Sequence, residues 1–441
     1  MTTVQPLLRQ VPVIPPLPPG ISVGYSRYLV GLLAFSSVLN YIDRQLPAIM
    51  LPAIKADLDL SDTQLGFITG LAFALFYSVM GIPIGRAADR FKRRDVLAVC
   101  IGLWSLMTAV SGLATNFLHM AVARFGVGIG EAGLTPSAHS LMSDIFPIGR
   151  RATAFGIYAI GIPLGSVLAY LAGGWLTEVF GWRVAFVALG LPGLLVAVLV
   201  WFTVRETPRG LADGFTDPGK PPPLLDVIKT LLSIPAFIHC MLGTSFTGLV
   251  YTAITTWAPS FLSRSFGMTT GEIGTWLAPS IGIGGMTGTI LGGMMADRLG
   301  ARDKRWMAWV PALTTTIGSV VGALSFAADE RVIAVLLIGV PLILCPVHLP
   351  IYSAILQSLA GVRMRGSFPA LSLFIAGMIG LGIGPQVVGV ASDLVRPMAG
   401  EESLRYALML VVPFFGIWAG IHFYFGGRHL PKDMAKAAER V

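Results

Sequence analysis

Four ionisable residues in the first half of the chain stand inside long apolar runs: Asp43, Arg44, Arg124 and Glu131. A charge at bilayer depth costs roughly 3 kcal/mol or more, so each is a candidate for function. Glu131 has the stronger claim on proton carriage. Burial favours its protonated carboxyl and a nearby guanidinium favours its carboxylate, a balance that a conformational change can tip. Asp43 is the second proton candidate. Arg44 is the candidate for holding an anionic head group, because a guanidinium offers two parallel donors where an ammonium is a point charge. Adjacent helical residues point about 100° apart, so Asp43 and Arg44 cannot face one spot equally. A structural ion pair tying this helix to a neighbour is the plainer reading of the two. Function is favoured because a purely structural pair can be replaced by apolar residues at little cost.

Two further residues extend the line. Arg124 lies two turns before Glu131, about 10 Å along the same helix face, as a relay group or as an anchor bonded to carbonyls. Arg44 is therefore the one cation expected at mid-depth. His139, eight residues past Glu131, continues a relay or is simply hydrogen-bonded. The second half has no acidic residue in the middle of its apolar runs. It offers His239, Thr255, Trp257, His348, Tyr352, Gln357 and Phe374 instead. Of these, Tyr352, Trp257 and Phe374 are taken as an apolar wall for a substrate, although their spacing equally suits packing.

These residues need helices that cross a bilayer. Of the 441 residues, 54% are hydrophobic and 12% charged, about half the charged share of a soluble domain. Lipid must solvate much of the surface. Runs of about 20 apolar residues recur near 26–54, 64–88, 95–115, 117–142, 150–177 and 182–204. A polar stretch rich in Pro and Gly follows, then six more runs near 231–262, 271–296, 305–327, 330–358, 364–392 and 404–427. The predicted organisation is a flexible proline-rich arm (1–25), a six-helix half (26–204), a linker (205–230), a second half (231–427) and a tail (428–441). The expected fold class is an all-α integral membrane protein of twelve helices in two pseudo-symmetric halves.

Loops on one side of these helices hold 23 of the 31 basic residues and those on the other hold 6. Basic residues collect on the cytoplasmic side, so both termini, the linker and the tail are predicted inside the cell. Scattered between apolar runs, the +8 net charge marks topology and not nucleic-acid binding. Cys100, Cys240 and Cys345 sit in apolar runs at spacings that fit no metal site or disulfide framework. The arm lacks the apolar core of a signal peptide. No cofactor or metal is expected.

The halves repeat each other, as parallel-repeat transporters do. Gly85-Arg-Ala-Ala-Asp89-Arg90 reappears as Gly293-Met-Met-Ala-Asp297-Arg298, and Arg150-Arg-Ala-Thr-Ala-Phe155 as Arg363-Met-Arg-Gly-Ser-Phe368. The first pattern, continued by Arg93-Arg94, resembles the signature between helices two and three of the major facilitator superfamily. Lys92 stands where that signature usually has glycine, and the second copy has Gly300. Arg124-xxx-Gly128 and Gly161-Ile-Pro163-Leu-Gly165 resemble its helix four and five patterns. More narrowly, Tyr41-Ile-Asp43-Arg44, the run from Arg124 to Glu131, and Arg205-Glu206-Thr-Pro208-Arg-Gly210 resemble the spinster-type branch.

The resemblance implies a proton-linked carrier working by alternating access, with lysophospholipids or sphingolipid phosphates as cargo in some members. It also implies that spans one, four, seven and ten line a central cavity, where Asp43, Arg44 and Glu131 would meet. Asp89, Arg90, Asp297 and Arg298 fall at cytoplasmic helix ends, where carboxylates accept backbone N–H groups and arginines pair across a seam. They are taken as a gate latch. Topology alone explains the arginines but not an aspartate repeated at one place. Glycines in spans four, five and eleven suit close, sliding helix packing.

The expected substrate is an amphiphilic lipid, carried with protons by a monomer. A small organic anion or drug is the alternative cargo. A membrane enzyme is the distant rival: no Gly-x-Ser-x-Gly, His-Glu-x-x-His or Walker pattern is present. A passive pore has no use for a paired latch.

Overall fold

The computed structural model describes residues 17–212, 224–359 and 367–438. The parts of the arm, linker and tail outside those ranges, and Arg363 and Arg365 of the repeated motif, lie outside the described residues. Within them the chain forms twelve long helices in two sets of six. The first span, Val23–Leu58, starts where the Ser22 hydroxyl accepts the Tyr25 N–H, and stops where Asp59 turns left-handed at φ 49°. Aspartate tolerates that conformation better than most residues.

The second span is Asp62–Arg90 and the third Arg93–Ser111. The fourth runs Phe117–Glu131 and resumes as Leu134–Ile145. The fifth and sixth occupy Ile148–Thr203, divided at Gly181, whose φ of 83° reverses the chain where a side chain would be strained. After a short helix, Leu224–Leu232, the seventh span is Pro235–Phe266. The rest lie at 270–302, 306–327, 331–359, 367–399 and 403–438.

Duplication is visible in the details as well as in the count. Span two opens on a capping box in which Ser61 and Gln64 satisfy each other's backbone N–H groups, and span eight opens on the same device from Thr269 and Glu272. Each then passes through a single π turn, Phe67–Leu71 and Ser280–Gly284. Span eleven carries a third at Met378–Ile383. All three abut the opposite half. Gly70 and Gly382 bring the π turns of spans two and eleven together so closely that a methyl group on Gly70 would stand 2.5 Å from the Gly382 carbonyl oxygen.

The hydrophobic core shows how the halves meet. At the end away from the start of span one, a single cluster joins both halves, with Leu46, Ile49, Tyr170 and Phe186 from the first and Trp257, Phe261, Ile338 and Val412 from the second. At the other end the core splits in two. Leu29, Leu97, Trp104 and Leu141 pack within the first half alone, and Phe237, Ile351, Tyr352 and Phe423 within the second. The halves are thus sealed at one mouth and separate at the mouth where span one begins. Cys100, Cys240 and Cys345 are buried free thiols within these clusters.

Candidate functional site

Helical geometry sends Asp43 and Arg44 in different directions, and the structure shows where each goes. Arg44 reaches span four, where its Nε and one terminal nitrogen both donate to Glu131 Oε2, at 2.9 and 2.6 Å. Its guanidinium lies inside an aromatic ring of Tyr41, Phe73 and Tyr77, with centroids 5.0, 5.0 and 4.8 Å away. Such faces stabilise a cation without neutralising it. The Glu131 side chain is fully buried, while that of Arg44 is 14% exposed. Arg44 is therefore the member of the pair that keeps some exposed surface.

Asp43 turns toward span three, beside Thr108 and Trp104, and is buried at 1% exposure. Arg124 is equally buried and donates to the Asp43 backbone carbonyl at 3.3 Å, with its guanidinium 5.6 Å from the Phe73 ring. The expectation of one mid-depth cation is thus replaced by two, because the unbroken helix Phe117–Glu131 brings Arg124 to the level of the Asp43 carbonyl. Around this point Asp43 lies beside Thr108 and Trp104, and Glu131 beside Asn40, yet Asp43 Oδ1, Glu131 Oε1, Asn40 Nδ2, Trp104 Nε1 and Thr108 Oγ1 close no hydrogen bond of full geometry among the described residues, nor does Arg124 Nε. Buried polar atoms are normally well paired, so a loosely paired group of this size is not explained by packing alone.

The other predicted residues lie apart from this centre. His139 stacks on Phe155 at 4.7 Å and meets Tyr158 edge-on at 5.3 Å. Trp257 is fully buried and donates to the Pro385 carbonyl at 2.9 Å, pinning span seven to span eleven. The Tyr352 hydroxyl pairs with Ser372 within the second half. Phe374 is half-buried on span eleven. Among the described residues no contact joins these three to Arg44.

At the separated mouth, Asp89 is 83% exposed, and its ion partner is Arg209 of its own half, at 4.0 Å. Arg90, Asp297 and Arg298 are exposed, with no ion pair across the seam among the described residues. The neighbouring Arg93 is buried and ties its half together. It donates to Glu206 at 2.9 Å, to Ser140 at 3.0 Å, and to Asp144 and the Thr207 carbonyl. The segment Arg205 to Gly210 is thereby fastened to spans three and four.

A second charged centre, absent from the sequence reading, lies at the sealed mouth. Asp62, 1% exposed at the start of span two, accepts two hydrogen bonds from Arg264 of span seven at 2.7 and 2.6 Å. It also accepts one from Lys55 at 2.6 Å and one from Ser392 of span eleven at 2.6 Å. Asp393 completes the join, accepting the Asp62 and Thr63 backbone N–H groups at 3.2 and 2.7 Å. One aspartate thus binds the two halves through three elements. The signal that could have found it is the pair of capping boxes at matching places, of which only the first has an aspartate directly after its cap, Asp62 after Ser61 against Thr270 after Thr269.

Comparison with known proteins agrees with this architecture. The profile of the Major Facilitator Superfamily matches residues 33–385. The chain belongs to that superfamily. It is 34% identical over 413 residues to an MFS-type efflux pump of Mycolicibacterium smegmatis, covering 93% of this chain and 94% of that one. Protein spinster homolog 1 of Xenopus laevis is 29% identical, over 95% of this chain and 84% of its own. A hexuronate transporter of Bacillus subtilis is 28% identical, over 85% and 90%. In three dimensions the chain resembles a crystal structure of a bacterial homologue of the human lysosomal transporter spinster in an inward-facing, unoccupied conformation. The TM-score is 0.83 at 30% identity, over 94% of this chain and 99% of that one. This protein is accordingly a multi-pass membrane transporter of the spinster type, acting on a small molecule.

Proposed function

We propose that this transporter couples the movement of protons to that of an anionic amphiphile, a lysophospholipid or sphingolipid phosphate, by alternating access. The observation that carries the reading is the Arg44–Glu131 pair. Two nitrogens of Arg44 rest on one oxygen of a buried carboxylate whose other oxygen closes no hydrogen bond of full geometry. A proton on Glu131 removes the charge that holds Arg44, and an incoming phosphate or carboxylate can take its place. Proton and substrate then favour each other by reciprocal linkage. Asp43 and Arg124 serve as the second acid and cation of the same half, with His139 toward the separated mouth.

In this reading the mouth where span one begins faces the cytoplasm, both termini lie inside a bacterial inner membrane, and the monomer is the working unit. Asp62 and its partners hold the outer mouth closed. Asp89, Arg90, Asp297 and Arg298 latch the inner mouth in the opposite state. Phe374 contributes from the second half, which carries the apolar side of the path, while Trp257 and Tyr352 hold together the helices that form it.

The rival cargo is a small water-soluble anion or a drug, favoured by the likeness to a hexuronate transporter and an efflux pump. Proteoliposome transport separates the two. A panel of lysolipids and hexuronate-like anions is offered with and without an imposed pH gradient. Gradient-driven movement of lysolipids supports the proposal. Movement of the water-soluble anions alone would replace the lipid reading.

A further inference from the structure

Away from the central site, a cavity of about 330 Å³ opens between the beginning of span one and the beginning of span five. Its walls are apolar, formed by Val30 from the first span and Phe146, Ala154 and Ile157 from the fifth and the turn before it. Two arginines stand at its edge, Arg27 and Arg150, both exposed. Among the described residues neither side chain has an ion pair or hydrogen bond, unlike those of Arg93, Arg124 and Arg264. Tyr25 and Tyr28 flank Arg27 on the same helix, with Tyr28 41% exposed. Tyrosines so placed are typical of the depth at which head groups meet hydrocarbon.

We infer that this cavity binds one anionic diacyl phospholipid of the surrounding bilayer, its phosphate between Arg27 and Arg150 and part of an acyl chain along Val30, Ala154 and Ile157. Each half of the site calls for one half of that molecule. Two guanidinium groups without counter-charge suit a phosphate, which each can contact through paired N–H donors. The apolar walls, of ligand-site size, suit a chain and exclude a freely soluble ion as the better occupant. The site is separate from Arg44 and Glu131, so the inference stands whatever the transported cargo. A phospholipid there would bridge the first and fifth spans at the open mouth.

Native mass spectrometry of the detergent-solubilised protein, titrated with phosphatidylglycerol or phosphatidylcholine, tests it. Wild-type protein should retain phosphatidylglycerol preferentially. Replacing both arginines (Arg27→Gln with Arg150→Gln) should weaken that retention by about thirtyfold, from roughly 1 kcal/mol for each basic residue facing an anionic lipid. Both side chains are exposed, and size-exclusion profiles confirm that the variant is folded. Ile157→Trp, which fills the groove and leaves the charges, should also release the lipid. Undiminished retention in the double arginine variant would overturn the inference. So would full displacement by inorganic phosphate alone, or loss of the same adduct in Arg44→Ala, which would place it in the transport path.

Discussion

Arg44 and Glu131 face each other across spans one and four with both arginine donors, at 2.9 and 2.6 Å, on the same carboxylate oxygen. The second oxygen, Oε1, is buried and closes no hydrogen bond of full geometry, with the Asn40 amide beside the carboxylate. A carboxylate used in this one-sided way anchors a cation yet leaves a lone pair free to receive a proton.

Glu131→Gln keeps the shape and the hydrogen-bonding capacity but can neither ionise nor carry a proton. Uptake driven by a pH gradient should fall to the level seen without one. Substrate binding, measured on the purified variant, should survive, because Arg44 is no longer held by a charge. Full gradient-driven uptake by the variant would remove Glu131 from the coupling.

Arg44→Lys retains charge but loses the paired donors and much of the aromatic contact, and affinity for an anionic substrate should drop about tenfold, equivalent to roughly 1.4 kcal/mol. Arg44→Ala should weaken it further. Isothermal titration on monodisperse protein checks both, and unchanged affinity in Arg44→Ala would end the head-group role.

Asp62→Asn should unseal the closed mouth. Breaking a buried ion pair by changing one partner costs about 3–5 kcal/mol, here levied on the one arrangement in which Asp62 meets Arg264 and Ser392. Spin labels at the two rims of that mouth should report longer, broader distances than in the wild type. An unaltered distribution would show that the apolar cluster alone keeps the mouth shut.

Asp89→Ala should leave the melting temperature nearly unchanged, since an exposed pair such as Asp89–Arg209 contributes only about 0–1 kcal/mol. Its effect is expected on the opposite state, where the separated mouth closes. Distances across that mouth should shift toward the open population, and the gate role fails if they do not.

Gly70→Val should force spans two and eleven apart, because the first added carbon already meets the Gly382 carbonyl at 2.5 Å. The closed mouth should then loosen as it does in Asp62→Asn. Transport by a fully active Gly70→Val protein would show that this approach is not needed for the cycle.

The twelve helices were legible because a bilayer demands a run of apolar residues long enough to cross it, and such runs survive any uncertainty about packing. Asp43, Arg44, Arg124 and Glu131 were legible for the same reason, as charges where lipid or a dry interior surrounds them. Asp62 was not. In the sequence it sits beside a loop, where an aspartate needs no explanation, and its partners Arg264 and Ser392 are 202 and 330 residues away. Lys55 and Arg264 were equally ordinary as loop charges. Trp257 shows the converse difficulty: an aromatic at helical spacing reads alike whether it meets a substrate or, as here, a proline carbonyl of a neighbouring helix. Only the fold separates those two fates.

The three π turns have a further consequence. A π turn carries one residue more than an α-helix needs at that height, so each is a length of slack. Taking it up would rotate everything beyond it by about 100° relative to what comes before. In span two the part beyond Phe67–Leu71 ends at Asp89 and Arg90, and in span eight the part beyond Ser280–Gly284 carries Asp297 and Arg298 in its last turns before Arg302. Spans two and eleven also hold their slack against each other, at Gly70 and Gly382. A small register change at the sealed mouth could therefore be delivered at the far end as a turn of two charged helix tips, without bending either helix.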